Sequence, residues 1–204
     1  MVGEVRRRYG GGGTVVRPSK KSAIVEAAMR VAEEQGLSAV TIDAVAEQAG
    51  ITKGGLLYHF PSRTALLSGV YEQLAADWEK EMVSAAGKPA SEATRAERLA
   101  AYVRVAARSM TRAELVFMAD GAAHRDLFAP CAEVAARWTT PLPQPGVDDR
   151  YPREELRMLT ARMAADGLWS YEALTGEPIP QALRVQLLEH IAASLDTTST
   201  DSAR

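Results

Sequence analysis

Residues 41–61 read Thr41-Ile42-Asp43-Ala44-Val45-Ala46-Glu47-Gln48-Ala49-Gly50-Ile51-Thr52-Lys53-Gly54-Gly55-Leu56-Leu57-Tyr58-His59-Phe60-Pro61. Ile42, Val45, Ala46 and Ala49 recur at helical spacing behind Thr41, a good N-cap, and Gly50 tolerates the positive φ that closes a helix. Thr52 caps a second helix in which Leu56 and Phe60 lie one turn apart on a single face. Ile51 is expected to point back into the same small core, and Pro61 stops the second helix. Two short helices sharing one core across a tight turn form a helix-turn-helix, the geometry that lays a second helix in the DNA major groove. Its outer face carries Lys53, Gly54, Gly55, Leu57, Tyr58 and His59, small, cationic and hydrogen-bonding groups with no packing duty.

The paired glycines call for a reason, because each costs about 1 kcal/mol relative to alanine inside a helix. In a first turn the cost is smaller, and a bare backbone there approaches a phosphate or base edge closely. The competing reading, that Gly54 and Gly55 only mark a loop, sits poorly with the helical spacing on both sides of them.

Working outward, a first helix is expected from residue 19 or 20 to 35, with Ile24, Ala27, Ala28, Val31 and Ala32 on one stripe and Gly36 ending it. Beyond Pro61, Ser62 caps a fourth helix reaching toward Ala86, with Leu66, Leu67, Val70, Tyr71, Leu74 and Trp78 on one side; Gly87 and Pro89 break it. Periodicity then gives a fifth helix over 91–109, a short sixth around Leu115, Val116 and Met118, and a seventh over 125–137. A proline-rich loop covers 141–149. An eighth helix begins after Pro152 with Leu156, Leu159, Met163 and Leu168 inward, and a ninth spans 180–195 with Leu183, Leu187, Ile191 and Leu195 spaced by four. No strand and no repeat is expected. Residues 1–18, with Gly10 to Gly13, read as a flexible arm. Arg6, Arg7, Arg8 and Arg17 then either add phosphate or minor-groove contacts or belong to a tail without a role.

The stretch from Ile24 to Leu67 resembles the amino-terminal motif of the tetracycline-repressor-like (TetR) family of bacterial transcriptional regulators. Ile24, Ala27, Ala28 and Gly36 match in the first helix, and Thr41, Ile42, Ala46, Ala49, Gly50 and Ile51 match in the second helix and turn. Thr52, Lys53, Gly54, Leu56, Tyr58, His59, Phe60, Pro61, Arg63, Leu66 and Leu67 follow in register. Leu57 departs from the pattern: many members carry an aromatic residue there, so a phosphate contact from a hydroxyl gives way to contact with a thymine methyl.

The resemblance implies an all-α chain. A three-helix helix-turn-helix DNA-binding domain at 19–65 precedes a helical-bundle ligand-binding and dimerisation domain at 66–196, with a disordered tail at 197–204. It implies a regulator, most often a repressor, that binds a near-palindromic double-stranded operator as a homodimer and is released by a small molecule. Thr41, Tyr58, His59 and Arg63 are expected to hold phosphates, and Thr52, Lys53, Gly54, Gly55 and Leu57 to lie against base edges. The last two helices are expected to pair with their copies through Ala164, Gly167, Leu187, Leu188, Ile191 and Leu195, unless they only close the protomer's own core. Tyr102, Met110, Phe117, Met118, Phe128 and Trp169 are candidates to line a pocket for a largely apolar effector, plain core being the alternative for each. Coupling is expected to run through the fourth helix.

Composition agrees with these readings. The chain has 204 residues, 47% hydrophobic and 25% charged, with net charge −2. Residues 1–65 hold 9 Lys and Arg against 6 Asp and Glu, and the remainder 15 against 20, so a weakly basic head precedes an acidic body. No apolar run approaches membrane-spanning length and no signal peptide is apparent, so a cytoplasmic protein without a membrane partner is expected. The one cysteine, Cys131, excludes an internal disulfide framework. The three histidines, His59, His124 and His190, lack metal-ligand spacing. Adjacent His124, Arg125 and Asp126 point apart on a helix, and Gly10 to Gly13 lacks the residues of a phosphate loop. Neither enzyme activity, metal nor cofactor is expected. The rival reading is a helical ligand-binding or interaction protein that has lost DNA binding; exposed Lys53, Tyr58 and His59 argue against it.

Overall fold

Serine and threonine side chains open six of the nine α-helices among the described residues, each accepting a hydrogen bond from an otherwise unpaired N–H of the first turn. The computed structural model describes residues 19–108, 110–144 and 150–196. The helices are α1 (Lys20–Gln35), α2 (Ile42–Ala49), α3 (Lys53–His59), α4 (Arg63–Ala86), α5 (Arg95–Val105), α6 (Arg112–Gly121), α7 (Arg125–Trp138), α8 (Arg153–Thr175) and α9 (Gln181–Asp196). A 3-10 turn, Leu37–Ala39, joins α1 to α2, and no strand occurs among the described residues. The expectations for the arm at 1–18, with Arg6, Arg7, Arg8 and Arg17, for the tail at 197–204 and for residues 145–149 of the proline-rich loop lie outside the described residues.

The head closes as its caps dictate. Thr41 accepts from the Ala44 N–H, and Gly50 takes φ 67 at the end of α2, where Ile51 donates its own N–H back to Ala46 at 3.0 Å. That backbone bond sets the direction of Ile51, whose side chain is 37% exposed at the rim rather than inside the core as expected. Val45, Leu56 and Phe60 fill the interior instead, with Leu56 at 0% exposure.

α2 and α3 pack on each other, and α1 packs on α2. α1 also lies against α4 and α6, so the head is seated on the body rather than hung from a linker. With 24 residues, α4 runs about 36 Å at 1.5 Å per residue, and it packs against α1, α5 and α7. The domain division expected between residues 65 and 66 falls inside its first turn. One buried cluster runs through both halves, from Ile24 and Val45 by way of Leu66, Tyr71 and Phe117 to Trp138 and Ile191.

The body departs from the sequence reading in three places. α5 starts at Arg95, not 91, because Thr94 and Glu97 form a reciprocal capping box, and it ends at Val105 rather than 109. α6 is longer than the three apolar residues suggested, running from a second capping box, Thr111 with Glu114, to Gly121. α8 turns Met158, Ala161, Ala165 and Leu168 inward, spaced by three and four. Of the residues expected inside, Leu168 is buried, Leu159 is half-buried, and Leu156 and Met163 are 46% and 58% exposed. α8 carries two apolar stripes, and the one with the small side chains faces its neighbours α5, α6 and α9.

Candidate nucleic-acid interface

α3 shows one face to its own core through Leu56 and the other outward. Tyr58 is 85% exposed, its ring meeting His59 edge-on with centroids 5.2 Å apart. Thr41, Thr52, Lys53 and Gly54 are exposed, while Gly55, Leu57 and His59 are half-buried. Both threonine hydroxyls are engaged as caps, Thr41 with the Ala44 N–H at 3.2 Å and Thr52 with the Gly55 N–H at 3.1 Å, and each retains its own O–H to donate outward.

The two glycines separate here. A Cβ at Gly54 meets nothing within 4 Å, so this stretch of backbone is bare to the outside. A Cβ at Gly55 lies 3.2 Å from the Thr52 hydroxyl, so the cap itself favours glycine there.

Lys53 and Arg63 already have partners within the head. Lys53 Nζ sits 2.9 and 3.0 Å from the two carboxylate oxygens of Asp43, and both side chains remain well exposed. Arg63 donates from Nε to the Val40 carbonyl at 2.8 Å and from Nη2 to the Leu37 carbonyl at 3.1 Å, tying the start of α4 to the 3-10 turn. Its guanidinium is therefore turned toward the head's own backbone. Asp43 escaped the sequence reading because an acidic residue in a first helical turn already has a reason in the helix dipole.

In the body, four of the six candidate lining residues fall into two aromatic groups. Phe117 and Phe128 stand edge-on to Tyr71, with centroids 5.5 and 6.0 Å from it, and the Tyr71 hydroxyl donates to the Phe117 carbonyl and Asp120. Burial and the Asp120 carboxylate raise the Tyr71 phenol well above its usual range. Tyr102 and Trp169 belong to the second group with Trp78, which the sequence reading passed over as core: the two indoles stack 6.1 Å apart at 16°, and Tyr102 lies 6.1 Å from Trp78. Met110 adjoins this group, its N–H donating to the Trp169 carbonyl at 2.8 Å, and Met118 is half-buried on α6.

The second group is electrostatically charged. Burial and Asp166, which accepts the Tyr102 hydroxyl, raise the Tyr102 phenol strongly. The Arg108 guanidinium lies 5.5 Å over the Trp169 ring and pairs with Glu81 and Glu114, each at 2.9 Å. Burial alone would lower its pKa, but the two carboxylates carry it upward. Trp169 Nε1 is buried and has no hydrogen-bond partner among the described residues.

Among the candidate interface residues, Ala164, Gly167 and Leu187 are exposed, Leu188 and Leu195 half-buried, and Ile191 buried in the protomer's own core. Leu183, part of the α9 stripe, is exposed as well, and Leu156, Met163, Tyr171 and Leu174 on α8 add exposed apolar surface that the sequence reading did not assign to this face. Among the described residues no group of three or more His, Cys, Asp or Glu is placed to hold a metal ion, and no helix is long and apolar enough to cross a membrane.

An exposed helix-turn-helix on an all-α body defines a class of DNA-binding proteins. Residues 24–70 match the family profile described as bacterial regulatory proteins, tetR family, and residues 96–196 match that of the tetracyclin repressor-like C-terminal domain. The chain belongs to this family of helix-turn-helix transcriptional regulators. Among relatives, it is 38% identical over 60 residues to the HTH-type transcriptional regulator RutR of Escherichia coli (strain K12), covering 29% of this chain and 28% of that protein. It thus spans just over a quarter of the length of that relative. It is 29% identical over 182 residues to the HTH-type transcriptional regulator BetI of Rhizobium meliloti (strain 1021), covering 85% of this chain and 88% of that one. The crystal structure of the multidrug binding protein EbrR complexed with imidazole shares the fold, with TM-score 0.53 and 20% identity over 90% of this chain and 98% of that chain.

Proposed function

We propose that this protein is a repressor that binds a near-palindromic operator as a homodimer, the head at 19–65 reading DNA and the body at 66–196 pairing the copies and taking up an effector. The observation that carries the DNA half is the outer face of α3, where Tyr58 is 85% exposed and Gly54 bare on a head otherwise closed around Leu56. Tyr58 thereby presents a phenol hydroxyl, and Gly54 a bare backbone, on the face where a second helix meets DNA, and a hydroxyl so placed is a donor for a phosphate oxygen. Thr41, Tyr58 and His59 hold phosphates in this reading, and Thr52, Lys53, Gly54, Gly55 and Leu57 face base edges. Such a protein binds rather than catalyses, and it works in the cytoplasm, where a bacterial chromosome lies.

The effector reading rests on the group Trp78, Tyr102 and Trp169, whose one unpaired buried donor, Trp169 Nε1, suits a largely apolar ligand bearing a hydrogen-bond acceptor. From there a route leads to the head. The Trp169 carbonyl holds Met110, and Arg108 over its ring holds Glu114 in the first turn of α6. The neighbouring Ala113 N–H donates at 2.6 Å to Glu33 of α1. A ligand that moves Trp169 thereby shifts the seat of the head, alongside any pivot of α4, and lowers operator affinity to the extent that it prefers that state.

The test is selection of bound duplexes from a random pool by the purified full chain, followed by gel shifts at several salt concentrations. A near-palindromic site with affinity falling steeply in salt supports the regulator; retention of all sequences alike, or of none, rejects it.

A further inference from the structure

We propose that Asp43 and Lys53 together read a single G·C base pair, which makes Asp43 a specificity-determining residue. The inference rests on the reading of the head as a DNA reader and adds what one part of it recognises. Asp43 stands in the first turn of α2 and Lys53 at the start of α3, ten residues apart across the turn. Their charged atoms meet at 2.9 and 3.0 Å, yet the side chains are 72% and 60% exposed. An ion pair so open to water contributes little to stability.

A carboxylate on a surface that meets DNA repels phosphates and weakens binding to every sequence alike. Asp43 therefore opposes affinity unless the DNA offers it a donor. In the major groove that donor is the exocyclic amino group of a base, and for aspartate the suited partner is cytosine N4. The paired guanine presents O6 and N7 to a lysine ammonium. Within the base pair, N4 donates to O6 across about 2.9 Å, an ordinary N–H···O separation. The two protein atoms stand at the same spacing with complementary roles, the carboxylate oxygen facing N4 and the ammonium facing O6, so the pair docks without being pulled apart. An A·T pair offers N6 as donor and O4 as acceptor, but there the ammonium loses the second acceptor that N7 provides on guanine, and the thymine methyl crowds it.

Asp43 also keeps Lys53 from wandering to the nearest phosphate. The pair turns a sequence-blind contact into a base contact.

The experiment starts from the half-site selected by the full-length protein and measures Asp43→Asn and the parent protein on that duplex, on its G·C-to-A·T variants and on random DNA, over a range of salt. The parent should discriminate by about 5- to 150-fold at one G·C pair of each half-site. Asp43→Asn should lose discrimination there alone, bind random DNA more tightly and steepen its salt slope by about one charge as Lys53 moves to phosphate. Replacing the cytosine of that pair with N4-methylcytosine should weaken the parent and leave Asp43→Asn unchanged; tolerance of the modification by the parent overturns the inference even if the variant folds poorly. Selection of no sequence overturns the regulator reading and this inference with it. A selected site at which Asp43→Asn retains every base preference, or which tolerates N4-methylcytosine throughout, overturns the inference and leaves the regulator standing.

Discussion

Arg63 is the residue whose role depends most on its partners. A cation just past the recognition helix reads in sequence as a phosphate ligand, but its Nε and Nη2 are spent on the carbonyls of Val40 and Leu37. Those acceptors lie 23 and 26 residues upstream and belong to the backbone, so no side-chain pattern announces them. Arg63→Ala should destabilise the fold by about 1–2 kcal/mol, the worth of charged-group hydrogen bonds at a partly exposed site. In thermal melts it should lower the midpoint, while the salt slope of operator binding stays put. A slope reduced by about one charge at unchanged stability would restore Arg63 to the phosphate contacts. Tyr58→Ala should do the opposite, melting like the parent because Tyr58 is 85% exposed, yet weakening all sequences alike in gel shifts.

At the scale of elements, the first turn of α6 gathers more polar contacts than its own cap requires. Glu114 closes the capping box with Thr111 and also takes Arg108, while Glu33 reaches across from α1 to the Ala113 N–H. Glu33 lies in the last turn of α1, where a negative charge opposes that helix's dipole; against the positive end of α6 it is favourable. Glu33→Ala should therefore accelerate amide hydrogen exchange at Ala113 with little change elsewhere in α6, and Glu33→Gln, which keeps an acceptor oxygen, should restore much of the protection. Equal exchange in all three proteins would deny the contact any part in seating the head.

The packing of α7 on α4 has its own reporter. Cys131 is 3% exposed, its Sγ 3.5 Å from the Tyr71 carbonyl, and burial pushes its thiol up to about 11. At pH 8 the thiolate is scarce and enclosed, so a thiol reagent should react slowly with the folded chain and rapidly in denaturant. Fast labelling in native buffer would mean that α7 leaves α4 readily. Much of this layer was legible in the sequence: caps and glycine stops placed the helices within a few residues. The inward face of α8 was not, because two apolar stripes satisfy helical periodicity equally, and only its neighbours decide that Ala161 and Ala165 go in and Met163 stays out.

For the whole molecule, the same ambiguity points to the partner. Leu156, Met163, Tyr171 and Leu174 recur on the outer side of α8, with Gly167 between them, and Leu183 and Leu187 follow one another by a turn on α9. The Cβ position of Gly167 has nothing within 4 Å, so a second backbone can approach there. This is the apolar face a two-fold dimer would cover, with each residue of the row meeting the corresponding row of the other copy. Met163 is 58% exposed, so Met163→Glu should leave the protomer's fold and melting intact while placing two like charges against each other across the axis. In sedimentation the parent should run at twice its 22.0 kDa chain mass and the variant at one chain. Loss of the second head should reduce affinity for a full palindrome by about 100-fold or more, the scale of a lost bivalent contact, and leave the weak binding to an isolated half-site unchanged. A Met163→Glu protein that remains a dimer would move the interface elsewhere, and one that is monomeric but grips the full palindrome as tightly as before would show that the heads do not read DNA in pairs.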